Sequence, residues 1–238
     1  MDGPVNVNQY VLVQGARETR GVLRRWNEDP WPVMRSWICG ALAVAGVLLA
    51  AVWLISSLAQ PDLTPIAIPG VTESPSAGNV LQILYRNSLV LALHAFACIA
   101  GFIAGSSLPL SAERRTGFSR WIHEKARPVA FAWVIAVTCF SLGTQAYALG
   151  STGATLAYQL HLSTGVLLLT ALPHAVPELT ALFLPLAAWT IASRRGEWGG
   201  LLAATVATVA IAVPTLVCAA LWEAYLWPHL LLAASPVA

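Results

Sequence analysis

Five ionisable or amide-bearing positions stand where this 238-residue chain is otherwise apolar. His174 and Glu178 lie in the stretch ALPHAVPEL, directly after Pro173 and Pro177 respectively, and Glu178 is the only Asp, Glu, Lys or Arg between Arg127 and Arg194. Glu223 sits near the end of another apolar run, and Arg86 with Asn87 opens a third. On a helix the i, i+4 spacing places His174 and Glu178 on one face, within hydrogen-bonding reach. Such a pair suits proton handling as acid and base, half of a metal site, or a polar contact for a partner. The alternative is structural. His174 would then satisfy backbone groups opened by the two prolines, and Glu178 would start a half-helix, where a carboxylate favours the amino-terminal dipole.

Other catalytic and metal patterns are missing from the sequence. A zinc centre takes at least three protein ligands, and the further histidines, His94 and His161, belong to other apolar segments, where each reads as a satisfied core histidine. Neither HExxH nor GxSxG occurs. Cys39, Cys98, Cys139 and Cys218 stand singly in apolar runs without CxxC spacing, which suits small buried hydrophobes. No metal and no cofactor are expected, and the chain by itself is not expected to be an enzyme.

The elements that must hold these residues follow from composition. Hydrophobic residues make up 57% and charged residues 10% of the chain, against about 25% charged in an average soluble domain. Nothing charged lies between Arg35 and Asp62, Arg86 and Glu113, Arg127 and Glu178, or Glu197 and Glu223. Each interval covers the roughly 20 residues that a helix needs to cross a bilayer. The sequence therefore predicts an all-α polytopic membrane bundle, in contact with lipid and with no basic, aromatic-laced stripe for nucleic acid. The first apolar run is too long for a signal-peptide core and is expected to stay as an anchor.

Residues 1–32 read as a leader, in which Leu12, Ala16, Thr19, Leu23 and Trp26 form one face of a surface helix. Residues 33–238 read as a single transmembrane domain. Its crossings are placed at about Val33–Leu58, Asn87–Leu108, Pro128–Leu149, Thr155–Ala192 and Gly200–Trp227, with a loop from Gln60 to Gly78 and a tight turn at Gly150–Gly153. Trp37, Trp121, Trp198, Trp222 and Trp227 fall near their ends, as an aromatic belt requires. Lys and Arg number five up to Arg35, one at Arg86, five in SAERRTGFSRWIHEKAR, none in the turn, and two in RRGEW. This alternation suits a cytoplasmic amino terminus and five crossings in a bacterial cytoplasmic membrane. The fourth segment, 38 residues, would be about 57 Å of helix. A break or re-entry at Pro173 and Pro177 is therefore expected.

Three of these stretches together resemble the stage II sporulation protein M family of bacterial multi-pass membrane proteins. ILYRNSLVLALHAFACIAGF, with Arg86 and Asn87, is similar to the family's asparagine-led second helix. LPHAVPEL is similar to its Pro-His-Gly-hydrophobic-hydrophobic-Glu-Leu signature, with Ala175 in place of the glycine and Pro177 in place of an aliphatic residue. AALWEAYLWP is similar to its terminal motif around Glu223. The resemblance covers roughly residues 80 to 230. It implies a membrane-embedded scaffold of the kind that acts with cell-wall hydrolases, or a companion of circular peptide bacteriocins, and no enzymatic activity common to the family. The expected function is a non-catalytic, partner-binding subunit of a membrane complex. The alternative is a component handling a peptide in maturation, export or self-protection, with His174 and Glu178 as acid and base.

Overall fold

A computed structural model of the chain, described over residues 11–107 and 117–235, is built from helices. These are α1 (Val11–Glu28), α2 (Trp31–Leu58), α3 (Ala77–Phe102), α4 (Gly117–Gln159), α5 (Thr164–Arg195), α6 (Leu201–Tyr225) and α7 (Trp227–Ala234). A π-helical turn, Ile103–Ser107, prolongs α3, and a 3₁₀ turn, Trp198–Gly200, leads into α6. Five stretches are long and apolar enough to cross a membrane: Trp31–Leu58, Ala77–Gly105, Phe131–Gln159, Thr164–Arg195 and Trp198–Tyr225. The chain is an all-α polytopic bundle of five such helices. Large apolar side chains on its outer surface, Val47 and Phe140 among them, face where lipid would lie.

Local chemistry sets the helix ends. Pro30 and Pro32 separate α1 from α2 and sit where missing N–H groups cost nothing. Ser76 and Asn79 form a capping box: the Asn79 N–H donates to Ser76 Oγ at 3.3 Å, and the Ser76 N–H to Asn79 Oδ1 at 2.8 Å. That box starts α3 at Ala77, well ahead of the Asn87 start expected from the apolar run. Gly196, at φ 70°, closes α5 with a left-handed cap.

The turn expected at Gly150–Gly153 is absent, because α4 runs through it to Gln159. Both glycines are packing residues. A Cβ on Gly150 would lie 2.6 Å from Ile55 Cγ2, and one on Gly153 would lie 3.1 Å from Ser56 Oγ, so they let α4 close on α2. The chain turns instead at Leu160–Ser163, where the Leu162 N–H reaches Ala157 O and His161 takes φ 52°. His161 is thus an exposed turn residue and not a core histidine. Ser163 then caps α5 by accepting from the Val166 N–H at 3.3 Å.

Moving the turn removes the reason for a break. The fourth crossing is Thr164–Arg195, 32 residues, one helix with Pro173, Pro177 and Pro185 inside it. Pro173 and Pro177 lie one turn apart on the exposed face, and the carbonyls four residues back lose a helical donor without the helix ending.

The two ends of the bundle differ. At one end α1 packs on the start of α6, with Trp26 edge-on to Trp37 at 5.1 Å. Trp37 is therefore a core residue, 5% exposed, rather than part of a lipid-facing belt; the side chain of Trp121 lies outside the described residues. Gly101 and Gly105 seat Trp189 and Trp198, and Phe131 packs on both indoles. At the other end the loop before α3 is tied down. The Asp62 N–H donates to Thr155 Oγ1 at 3.1 Å, the Ile66 N–H to Gln159 Oε1 at 3.1 Å, and Gln159 Nε2 to Thr64 O at 2.7 Å. Hydrogen bonds from the Thr64 backbone and side chain hold the Asp62 carboxyl below its ordinary value. Ile68 joins Leu156, Leu160, Leu167 and Leu231 in a small second core, and Gly70, at φ 82°, lies against Pro228.

Of the cysteines only Cys98 is buried, its thiol 3.1 Å from Pro185 O; Cys39, Cys139 and Cys218 are exposed. The expectation of four buried cysteines fails because the outer faces of α2, α4 and α6 are as apolar as their inner ones, so an apolar run does not say which way a residue points.

Candidate functional site

Three helices bring the sequence-singled residues toward one depth. Glu223 lies two residues from the end of α6, whereas Arg86 lies about 14 Å into α3 and Glu178 about 21 Å into α5, at 1.5 Å per residue. The longer helices α3 and α5 thus run on past the end of α6, and α7 folds back against α5. Glu178 faces the Asn87 amide and is close enough to Glu223 for their charges to repel. Glu223 in turn feels the guanidinium of Arg86. Arg86 is exposed and the other three are half-buried.

The expected approach of Arg86 to Glu223, with Asn87 beside the carboxyls, is thus present as an electrostatic neighbourhood, short of an ion pair within 4.0 Å. Asn87 interacts with Glu178, yet its buried Nδ2 has no hydrogen bond within 3.5 Å. The amide therefore stands near the carboxyl without closing on it. An arginine, an amide and two carboxyls from three crossings form a cluster that is assembled but not fully bonded.

His174 belongs elsewhere. Its ring packs on Trp227 with centroids 5.2 Å apart, and Trp227 Nε1 donates to Thr170 Oγ1 at 3.2 Å. His174 is 6% exposed, and its Nδ1 has no hydrogen-bond partner. The expected His174–Glu178 pair is not formed, although both lie on one continuous helix at i, i+4. Each side chain is engaged by a different helix, His174 by α7 and Glu178 by α3 and α6. Nor does His174 satisfy a backbone group freed by Pro173 or Pro177 through Nδ1, and Glu178 starts no half-helix, since α5 is unbroken.

His94, fully buried on α3, has Nδ1 3.1 Å from Leu182 O and its ring edge-on to Phe183 at 5.3 Å. It fastens α3 to α5 below the cluster. Trp227 was read as an interfacial residue; only the ring contact shows that it closes over His174. Among the described residues no group of three His, Cys, Asp or Glu is placed to hold a metal ion. The cluster offers donors and acceptors on one side of the bundle, and what it can do chemically is hold a polar group brought from outside or stabilise a helix interface. No family model, curated protein or solved structure matches this chain.

Proposed function

We propose that the chain is a non-catalytic integral membrane subunit that binds and positions protein partners, of the stage II sporulation protein M kind, in a bacterial cytoplasmic membrane with its amino terminus in the cytoplasm. One observation carries this reading. The three stretches that resemble the family, around Arg86–Asn87, Glu178 and Glu223, are far apart in sequence but meet at one place. Their polar groups are incompletely bonded within the chain, with the Asn87 amide nitrogen unpartnered and Arg86 exposed. Half-satisfied polar groups inside an apolar medium are costly, so a partner segment that supplies the missing bonds gains affinity there. The alternative, a peptide-handling acid/base pair, loses support because His174 faces Trp227 and not Glu178.

Purification from its native membrane in mild detergent tests the proposal. The wild-type chain is expected to bring a protein partner with it, and Glu178→Leu or Arg86→Ala is expected to release that partner while the chain stays folded and monodisperse. A chain that purifies alone, or one whose partner is held equally by both variants, overturns the reading.

A further inference from the structure

The opposite end of the bundle carries a second polar feature that the cluster does not involve. A cavity of about 470 Å³ lies between the start of α2 and the end of α5, lined by Trp31, Pro32, Arg35, Ser36, Cys39 and Arg195. The register of the two helices explains it. They run antiparallel and touch closely at Gly40, where an added Cβ would lie 3.1 Å from Ala187 Cβ and 3.9 Å from Ile191 Cδ1. One turn further toward this end, Ser36 and Arg35 of α2 come level with Arg195 of α5.

No acidic residue lines the cavity, and two arginines, Arg35 and Arg195, do. An anion seated between two arginines is attracted by both. The Ser36 hydroxyl is occupied by Val33 O at 2.8 Å, which leaves the arginines as the main donors. Two planar guanidinium forks match a phosphate. The remaining walls are apolar. Cys39 lies one turn deeper than Arg35, and Trp31 at the mouth is 63% exposed, the position of an interfacial indole beside headgroups. A basic mouth above an apolar wall, between membrane helices, has the form of a lipid site.

We propose that this cavity binds the phosphate of an anionic phospholipid, with Arg35 and Arg195 on the headgroup and Cys39 and Pro32 against the start of an acyl chain. Phosphate chemistry alone is shared by a free anion. The lipid is favoured because the cavity is walled mainly by apolar groups and opens at the depth where headgroups sit.

Native mass spectrometry of the full chain in detergent, titrated in parallel with phosphatidylglycerol, phosphatidylcholine and inorganic phosphate, reads the occupancy directly. Phosphatidylglycerol is expected to bind more tightly than phosphatidylcholine, and Arg35→Ala with Arg195→Ala is expected to weaken it by at least about fivefold, the size of a modest lost contact. Arg35→Lys with Arg195→Lys is expected to recover part of the binding and reports that the fold is intact. Equal binding of the two lipids overturns the proposal, as does an alanine double variant that binds like wild type. Displacement of the lipid by millimolar inorganic phosphate marks a small-anion site and overturns the lipid assignment.

Discussion

Glu223 and Arg86 show how a charge is tolerated near the end of a membrane helix. An isolated ionisable side chain at the centre of an apolar crossing costs about 2.5 to 3.5 kcal/mol on insertion scales. Glu223 avoids that position by lying at the tip of α6, where α3 brings Arg86 to the same depth. Because Arg86 is exposed, the coupling is screened and should be modest. A double-mutant cycle of Arg86→Ala and Glu223→Gln, followed by thermal unfolding in detergent, is expected to show coupling of about 0.5 to 1 kcal/mol, typical of an exposed pair. Zero coupling would place the two charges as independent neighbours. Residue types and depth were readable in the sequence, since Arg86 stands at the start of the second apolar run and Glu223 at the end of the fifth. Rotamer choice was not. The i, i+4 rule puts His174 and Glu178 on one face, but Trp227 lies beside one and Asn87 beside the other, and both belong to remote segments.

The helices themselves were legible because each crossing is a long apolar run with few charges, and their boundaries were legible only where a residue imposes one. Pro30 and Pro32 flank the start of α2 at Trp31, two residues before the Val33 start expected, and Gly196 caps α5 after Arg195, three residues beyond the Ala192 end expected. Gly150 and Gly153 misled, since glycine signals both turns and close helix packing, and only the neighbour tells which. This yields a test. Gly150→Ala puts a methyl group against Ile55 and is expected to destabilise the bundle by about 1 to 3 kcal/mol. Gly143→Ala, in the same helix but facing open space, is expected to be neutral or to stabilise by up to about 1 kcal/mol through helix propensity. If Gly150→Ala melts like wild type, α4 does not close on α2 as described.

For the whole molecule, five crossings place the beginning of α2 and the end of α6 on opposite sides of the membrane. Helix α1, the start of α2, the end of α5 and the turn Trp198–Gly200 all gather at one end: Trp26 contacts Trp37 and approaches Gly200. Arg20, Arg24, Arg25, Arg35, Arg194 and Arg195 therefore share that end, while Arg86 lies toward the other with the loop at Asp62 and with α7. Such an imbalance close to the helix ends is what fixes orientation during insertion, and the orientation proposed above puts the arginine-rich end in the cytoplasm. Alkaline phosphatase, active only outside the cytoplasm, should be active when fused after Ser235 and inactive when fused after Gly196; a green fluorescent reporter at the same two points should give the reverse pattern. Activity at both points would mean that α6 does not cross. A full reversal would mean that some other feature outweighs the arginines. Replacing Arg194 and Arg195 together by glutamine separates these cases further. The imbalance left by α1 and Arg35 still favours the same orientation, so the reporter pattern should persist; a switch would show that the pair after α5 governs insertion of the last two helices.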